Sequence, residues 1–125
     1  MAQFHLHTPS EHTLSGKPLN GEVHFVHTNA DGSALMVVDV FLDVINSDSY
    51  SKEVSANANR LYNYPGSLAT PGCDEIVDWW VVQKPISVSP KDFKHLQAQL
   101  KELKVADKGN NACPVLPLNR RKVTK

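Results

Sequence analysis

Neither sign of charge is in excess in this sequence: thirteen Lys and Arg stand against thirteen Asp and Glu, a formal net charge of zero. Nothing electrostatic therefore argues for nucleic acid, an anionic membrane surface or a polyanionic substrate, and a small or neutral partner is expected. Long apolar runs are missing too. No stretch approaches the roughly 20 residues that span a bilayer, so no membrane partner is predicted. The opening MAQFHLHTP has neither the basic start nor the apolar stretch of a secretory leader. The compartment stays undecided. Cysteine is scarce: Cys73 and Cys113 lie far apart and lack C-x-x-C spacing, so they could pair, stay free or have lost partners elsewhere. With 125 residues there is room for one modest hydrophobic core, and residues 1-125 are read as a single domain.

What is present is strand-like. QFHLH at 3–7 and EVHFVHT at 22–28 alternate apolar with polar residues, the period-2 pattern of a strand with two unlike faces. LMVVDVFLDV at 35–44 is β-branched and apolar enough for a largely buried strand, entered through the Asp31-Gly32 turn. IVDWWVV at 76–82 predicts a fourth strand, and the polar stretch from Ser47 to Asn63 predicts a loop. One helix stands out. Ser89 is a good N-cap, Pro90 suits the first helical position, and Phe93, Leu96, Leu100 and Leu103 form an apolar stripe that leaves His95 to solvent. The Pro-broken basic tail predicts a segment laid over the surface or ending in an edge strand.

Five of the six histidines fall between positions 5 and 27. On a strand, His5 and His7 point to the same face about 6 to 7 Å apart, close enough to converge on one ion. His24 shares its face with Glu22 and Val26, and an antiparallel pairing of the two strands would bring it alongside. Phe4, Leu6, Val23 and Phe25 would then back the histidines with an apolar face set against a core. Three imidazoles without a fourth protein ligand describe zinc with an open position, the catalytic arrangement. Gln3 and Glu22 precede His5 and His24 by two residues and could accept hydrogen bonds from those rings. An H-x-H pair on a strand is equally compatible with a plain polar face.

QFHLHTPSEHT at 3–13 followed by EVHFVHTN at 22–29 resembles the zinc-binding core of α-carbonic anhydrases. YPGSLATPGC at 64–73, Trp79, KPISVSP at 84–90 and NACPVLPLNRRKV at 111–123 follow in that family's order. The resemblance implies a mainly β fold: an antiparallel-rich twisted sheet with the N-terminal half missing and one surface helix near the C-terminus. It implies Zn²⁺ held by His5, His7 and His24, with Gln3, Glu22 and the backbone of Asn111 orienting the rings. Glu11 and Thr70 are implied at the reacting centre, with Val26, Val37, Leu68, Val77 and Trp79 as the apolar wall for carbon dioxide. His12 and Tyr64 resemble members of a hydrogen-bond network, and His12 and His27 are read as core histidines with satisfied partners. The implied activity is reversible hydration of carbon dioxide to bicarbonate.

Several positions depart from the family pattern. The H-x-H strand stands at the start of this sequence, whereas in the family it lies mid-domain, and exposed strand edges would then favour self-association. The crossing between Val44 and Tyr62 is shorter than is usual. Ala69 stands where the family has a threonine that bonds the buried glutamate, so Glu11 is expected to lack a partner and activity to be reduced. A non-catalytic, carbonic-anhydrase-related binding protein is the alternative. Remoter still, His5, His7 and Glu11 resemble the first motif of cupins, without the glycines that flank it there.

Overall fold

The computed structural model describes residues 1–45, 60–69, 73–103 and 108–125. The chain enters as β1 (Gln3–His7) and makes a small ribbon of β2 (Thr13–Leu14) and β3 (Lys17–Pro18). It continues through β4 (Gly21–Thr28), β5 (Leu35–Val44), β6 (Leu61–Gly66) and β7 (Val77–Val88), and then α1 (Pro90–Lys101). The fold is mainly β. Five strands form one mixed sheet in the order β1-β4-β5-β7-β6, antiparallel throughout except where β5 and β7 run parallel. No helix among the described residues is long and apolar enough to cross a membrane.

Local chemistry explains the joints. Asp31 caps the β4–β5 turn by accepting from the Ser33 amide at 3.0 Å and the Ser33 hydroxyl at 2.7 Å, while Gly32 supplies a φ of +74°. At α1 the Ser89 hydroxyl oxygen accepts from the Asp92 amide at 3.1 Å, and Pro90 opens the helix. Phe93 and Leu100 are the helix residues that bury. Leu103 falls beyond the last turn and is exposed, so the expected stripe stops one residue short.

Two strand boundaries differ from expectation. The fourth strand runs to Val88 because a register shift between the pairs Val40–Val82 and Leu42–Ile86 absorbs Pro85, which has no amide hydrogen for a ladder. Leu61 to Asn63, expected in a loop, open β6; residues 47–59 of that expected loop lie outside the described residues. Proline at position 65 is tolerated because β6 is the last strand of the sheet. The tail does reach an edge: Asn63 and Thr124 exchange backbone hydrogen bonds of 3.1 and 2.9 Å.

One face of the sheet carries the burial. Val26, Val37, Val77 and Trp79 form a buried apolar cluster, with Leu35, Tyr64 and Leu68 packed against it. Glu22 and His24 alternate with Val23 and Phe25 along β4, and Asp39 alternates with Val38 and Val40 along β5, so polar groups and apolar core share that face. This reverses the expected division. The histidines sit on the covered face, whereas Phe4, stacked on Phe25 across the strands, is exposed on the other.

Candidate metal centre

Register assembles the site. His5 on β1 pairs with His24 on β4, and His24 pairs with Asp39 on β5, so three side chains stand in one row across three strands. His7 and Glu22 pair in the next row, and Val26, Val37, Trp79 and Tyr64 line up in the row on the other side. The rings of His5, His7 and His24 have centroids 5.0, 5.1 and 4.7 Å apart, and each offers one nitrogen within 4.8 Å of the others.

Hydrogen bonds decide which nitrogen is free. Nδ1 of His7 donates to the Asn111 carbonyl oxygen at 3.1 Å and lies 3.1 Å from Oε1 of Glu11. Its Nε2 is left buried with no hydrogen-bond partner among the described residues. Nε2 of His24 donates to Oε1 of Glu22 at 2.6 Å, which leaves Nδ1 of that ring with its lone pair. Asn111 also clamps the neighbouring backbone, donating through its side-chain amide to Leu6 at 2.8 Å and accepting from the Thr8 amide at 3.0 Å. Gln3 does not join this set: it is exposed on the outer strand, and no hydrogen bond links it to His5.

Two of the rings are held toward the neutral form. Burial, followed by the neighbouring His24 and His7, lowers His5 from 6.5 to about 4. Burial also outweighs the raising influence of Glu11 and holds His7 below the ordinary imidazole value. Neutral imidazoles with free lone pairs are the form a metal ion requires. The orphaned Nε2 of His7 fits such an ion, since a buried polar atom without a partner is costly otherwise.

Glu11 is not without partners, contrary to the expectation drawn from Ala69. Its Oε1 accepts from the Cys113 amide at 2.8 Å as well as facing His7. Cys113 also directs its Sγ to the Ala69 carbonyl oxygen at 2.7 Å, so the segments carrying residues 69 and 113 meet beside Glu11. Both cysteines are free thiols, and burial with the Glu11 charge pushes the Cys113 thiol up. Thr70 lies outside the described residues. Val26, Val37, Leu68, Val77 and Trp79 come together in the apolar cluster, and the Trp79 ring closes to 4.9 Å from His24 and 4.8 Å from His12. Gly66 allows this approach, because a Cβ there would meet Trp79 Cδ1 at 2.7 Å.

Asp39 was not singled out by the sequence pattern. The signal was there: a carboxylate in the middle of LMVVDVFLDV, where a buried charge demands a partner. It is fully buried beside Glu22, and burial together with that like charge holds its carboxyl well above the ordinary range. Burial would also raise Glu22, but hydrogen bonds from His12 and His24 overcome it and hold that carboxyl far below its usual value. His12 is engaged on both nitrogens, with Nδ1 3.3 Å from Glu22 and Nε2 2.5 Å from the Tyr64 hydroxyl. His27 differs from the expectation of a satisfied ring, since its buried Nδ1 has no hydrogen-bond partner among the described residues.

A mainly β chain that gathers three imidazoles from two paired strands has the donor set of a three-histidine metal site. The sequence matches the eukaryotic-type carbonic anhydrase family over residues 40–125, and the chain belongs to that family. It is 29% identical to "Alpha carbonic anhydrase 7" of Arabidopsis thaliana over 97% of this chain and 51% of the relative. It is 30% identical to "Dioscorin DB3S" of Dioscorea polystachya over 98% of this chain and 53% of the relative. The solved α-carbonic anhydrase of Thermovibrio ammonificans, in complex with the inhibitor sulfanilamide, superposes with a TM-score of 0.77 at 31% identity, covering 98% of this chain and 61% of that one. The chain thus spans about half the length of these curated relatives. The family is zinc-dependent. Its membership replaces the cupin-like alternative.

Proposed function

We propose that this chain holds one zinc ion through His5, His7 and His24 and catalyses the reversible hydration of carbon dioxide to bicarbonate, at reduced efficiency. The observation that carries the reading is the orphaned, buried Nε2 of His7 beside free nitrogens from His5 and His24. Zinc bound there supplies a Lewis acid that brings the pKa of a water toward about 7. The chain's own residues do the rest. Glu22 and the Asn111 carbonyl fix the proton-bearing nitrogens of His24 and His7, so their lone pairs converge. Val26, Val37, Leu68, Val77 and Trp79 offer an apolar wall against which an uncharged substrate can rest. Glu11 is assigned to orienting the nucleophile, and Thr70 to the substrate side of the pocket.

Reduced efficiency follows from Ala69. A methyl group can neither accept from the nucleophile nor donate to Glu11, and Glu11 instead spends its Oε1 on Cys113 and His7. The same observation favours a second reading, a non-catalytic binding protein that keeps fold and metal. β1 has one outer edge without a strand partner among the described residues, and self-association through it belongs to the proposal. Sedimentation of the zinc-loaded protein reports that association directly. Hydration measured beside metal content separates the two main readings. Zinc-loaded protein should hydrate carbon dioxide above the buffer rate and lose that rate with His7→Ala; full zinc occupancy with no hydration would leave the binding protein standing.

A further inference from the structure

A second group of donors meets the first at His24. Oε1 of Glu22, Nδ1 of His12, a carboxylate oxygen of Asp39 and Nε2 of His24 lie within 4.8 Å of one another. Asp39 and Glu22 are fully buried, and neither oxygen of Asp39 has a hydrogen-bond partner among the described residues. Its nearest nitrogens are His12 Nδ1 at 3.4 Å from Oδ2 and His24 Nε2 at 3.8 Å from Oδ1. A carboxyl so placed meets a second buried carboxyl, Glu22, an arrangement that needs a proton or a cation between the two.

We infer that Asp39, Glu22, His12 and His24 form a second cation site, one that takes a divalent first-row transition ion adjacent to the three-histidine site. Two carboxylates with two imidazoles are a donor set for zinc, manganese or iron. Spacing suits it. In a tetrahedral zinc shell with bonds of about 2.0 to 2.1 Å, neighbouring ligand atoms stand about 3.3 Å apart. His12 Nδ1 lies 3.3 Å from Glu22 Oε1 and 3.4 Å from Asp39 Oδ2, and His24 Nε2 lies 3.8 Å from the other Asp39 oxygen, Oδ1. The 2.6 Å between Glu22 and His24 is too close for two ligands of one ion, and it opens when an ion replaces that hydrogen bond.

The surroundings also orient the donors. His12 Nε2 lies 2.5 Å from the Tyr64 hydroxyl, so the ring proton can move from Nδ1 to Nε2 and be donated to the Tyr64 oxygen, which frees Nδ1 to ligate, and the His12 amide donates to Oε2 of Glu22 at 3.1 Å. Coordination through both ring nitrogens requires His24 to release its ring proton to solvent, so filling the second site beside a filled first one liberates a proton. The site shares His24 with the proposed zinc site but uses neither His5 nor His7, so each can fail alone.

Zinc stoichiometry of the whole chain, by equilibrium dialysis and elemental analysis, tests this. The wild type should bind about two ions, Asp39→Asn about one, His5→Ala about one, and the double variant none. His12→Ala, read beside circular dichroism, should also bind about one and stands in if Asp39→Asn does not fold. A wild type that saturates at one ion, with Asp39→Asn and His12→Ala unchanged, overturns the inference and leaves a proton shared by Glu22 and Asp39. Failure of the three-histidine site shows differently, as a His5→Ala variant that binds as the wild type does.

Discussion

The two clusters that meet at His24 are built in opposite ways. His5, His7 and His24 come from two strands that pair directly, and burial holds His5 and His7 toward the neutral form. Asp39, Glu22 and His12 come from β5, β4 and the turn after β1, and they bring two buried carboxylates face to face. The difference teaches where charge can be stored in this fold. A buried neutral imidazole is stable while awaiting an ion, because burial itself favours the uncharged form; a buried carboxylate pair is not, and needs a proton or a cation at all times.

Removing the shared ring should break both clusters at once. His24→Ala should lower zinc affinity by well over the roughly 10- to 100-fold typical of losing an orienting partner, as read by competition with a chelator. Unchanged affinity would show that His24 belongs to neither. Restoring a hydroxyl sharpens the contrast from the catalytic side. Ala69→Thr should raise the hydration rate by roughly 10² to 10³ while leaving zinc affinity nearly unchanged, since the group would act beside Glu11 and not on a metal ligand. Equal rates at equal zinc occupancy would remove Ala69 as the limiting position.

Asn111 separates the clusters. Asn111→Ala deletes the hydrogen bonds to Leu6 and Thr8 that position β1 and His7, and should cost about 1 to 3 kcal/mol in denaturant unfolding. Zinc held by the three histidines should weaken, and uptake that depends on Asp39 should not. A smaller effect comes with acid. His5 is lowered from 6.5 to about 4 in the fold, so between those values the unfolded chain binds the proton and the folded chain does not. Stability from this group is complete above 6.5 and is lost as pH falls toward 4. Thermal midpoints of the metal-free protein should decline through that window, and a flat profile would contradict the burial assigned to His5.

The histidine trio was legible because its information is local: H-x-H fixes two rings on one face, and the third strand position follows from pairing. The capped helix was legible for the same reason, with Ser89 and Pro90 adjacent in sequence. β6 was less so, since Pro65 argues against a strand until the sheet order shows it at an edge. Which face was covered could not be read from alternation, because β4 carries apolar residues on both sides, Val26 on one and Val23 and Phe25 on the other, and only its packing with β5 and β7 chose the side of Val26 and His24. Asp39 depended on register: nothing near it in the sequence announces that it stands opposite His24. Glu11 found a partner through Cys113, more than a hundred residues away.

The central claim is that three imidazoles hold one ion with room left for a small ligand. X-ray absorption at the zinc edge, recorded on Asp39→Asn protein loaded with one equivalent, addresses it most directly. The account predicts three nitrogen neighbours at about 2.0 to 2.1 Å, with outer-shell scattering from imidazole rings and one further light atom. A sulfur shell at about 2.3 Å, which Cys73 or Cys113 would produce, or an oxygen-dominated shell without imidazole scattering, would contradict it.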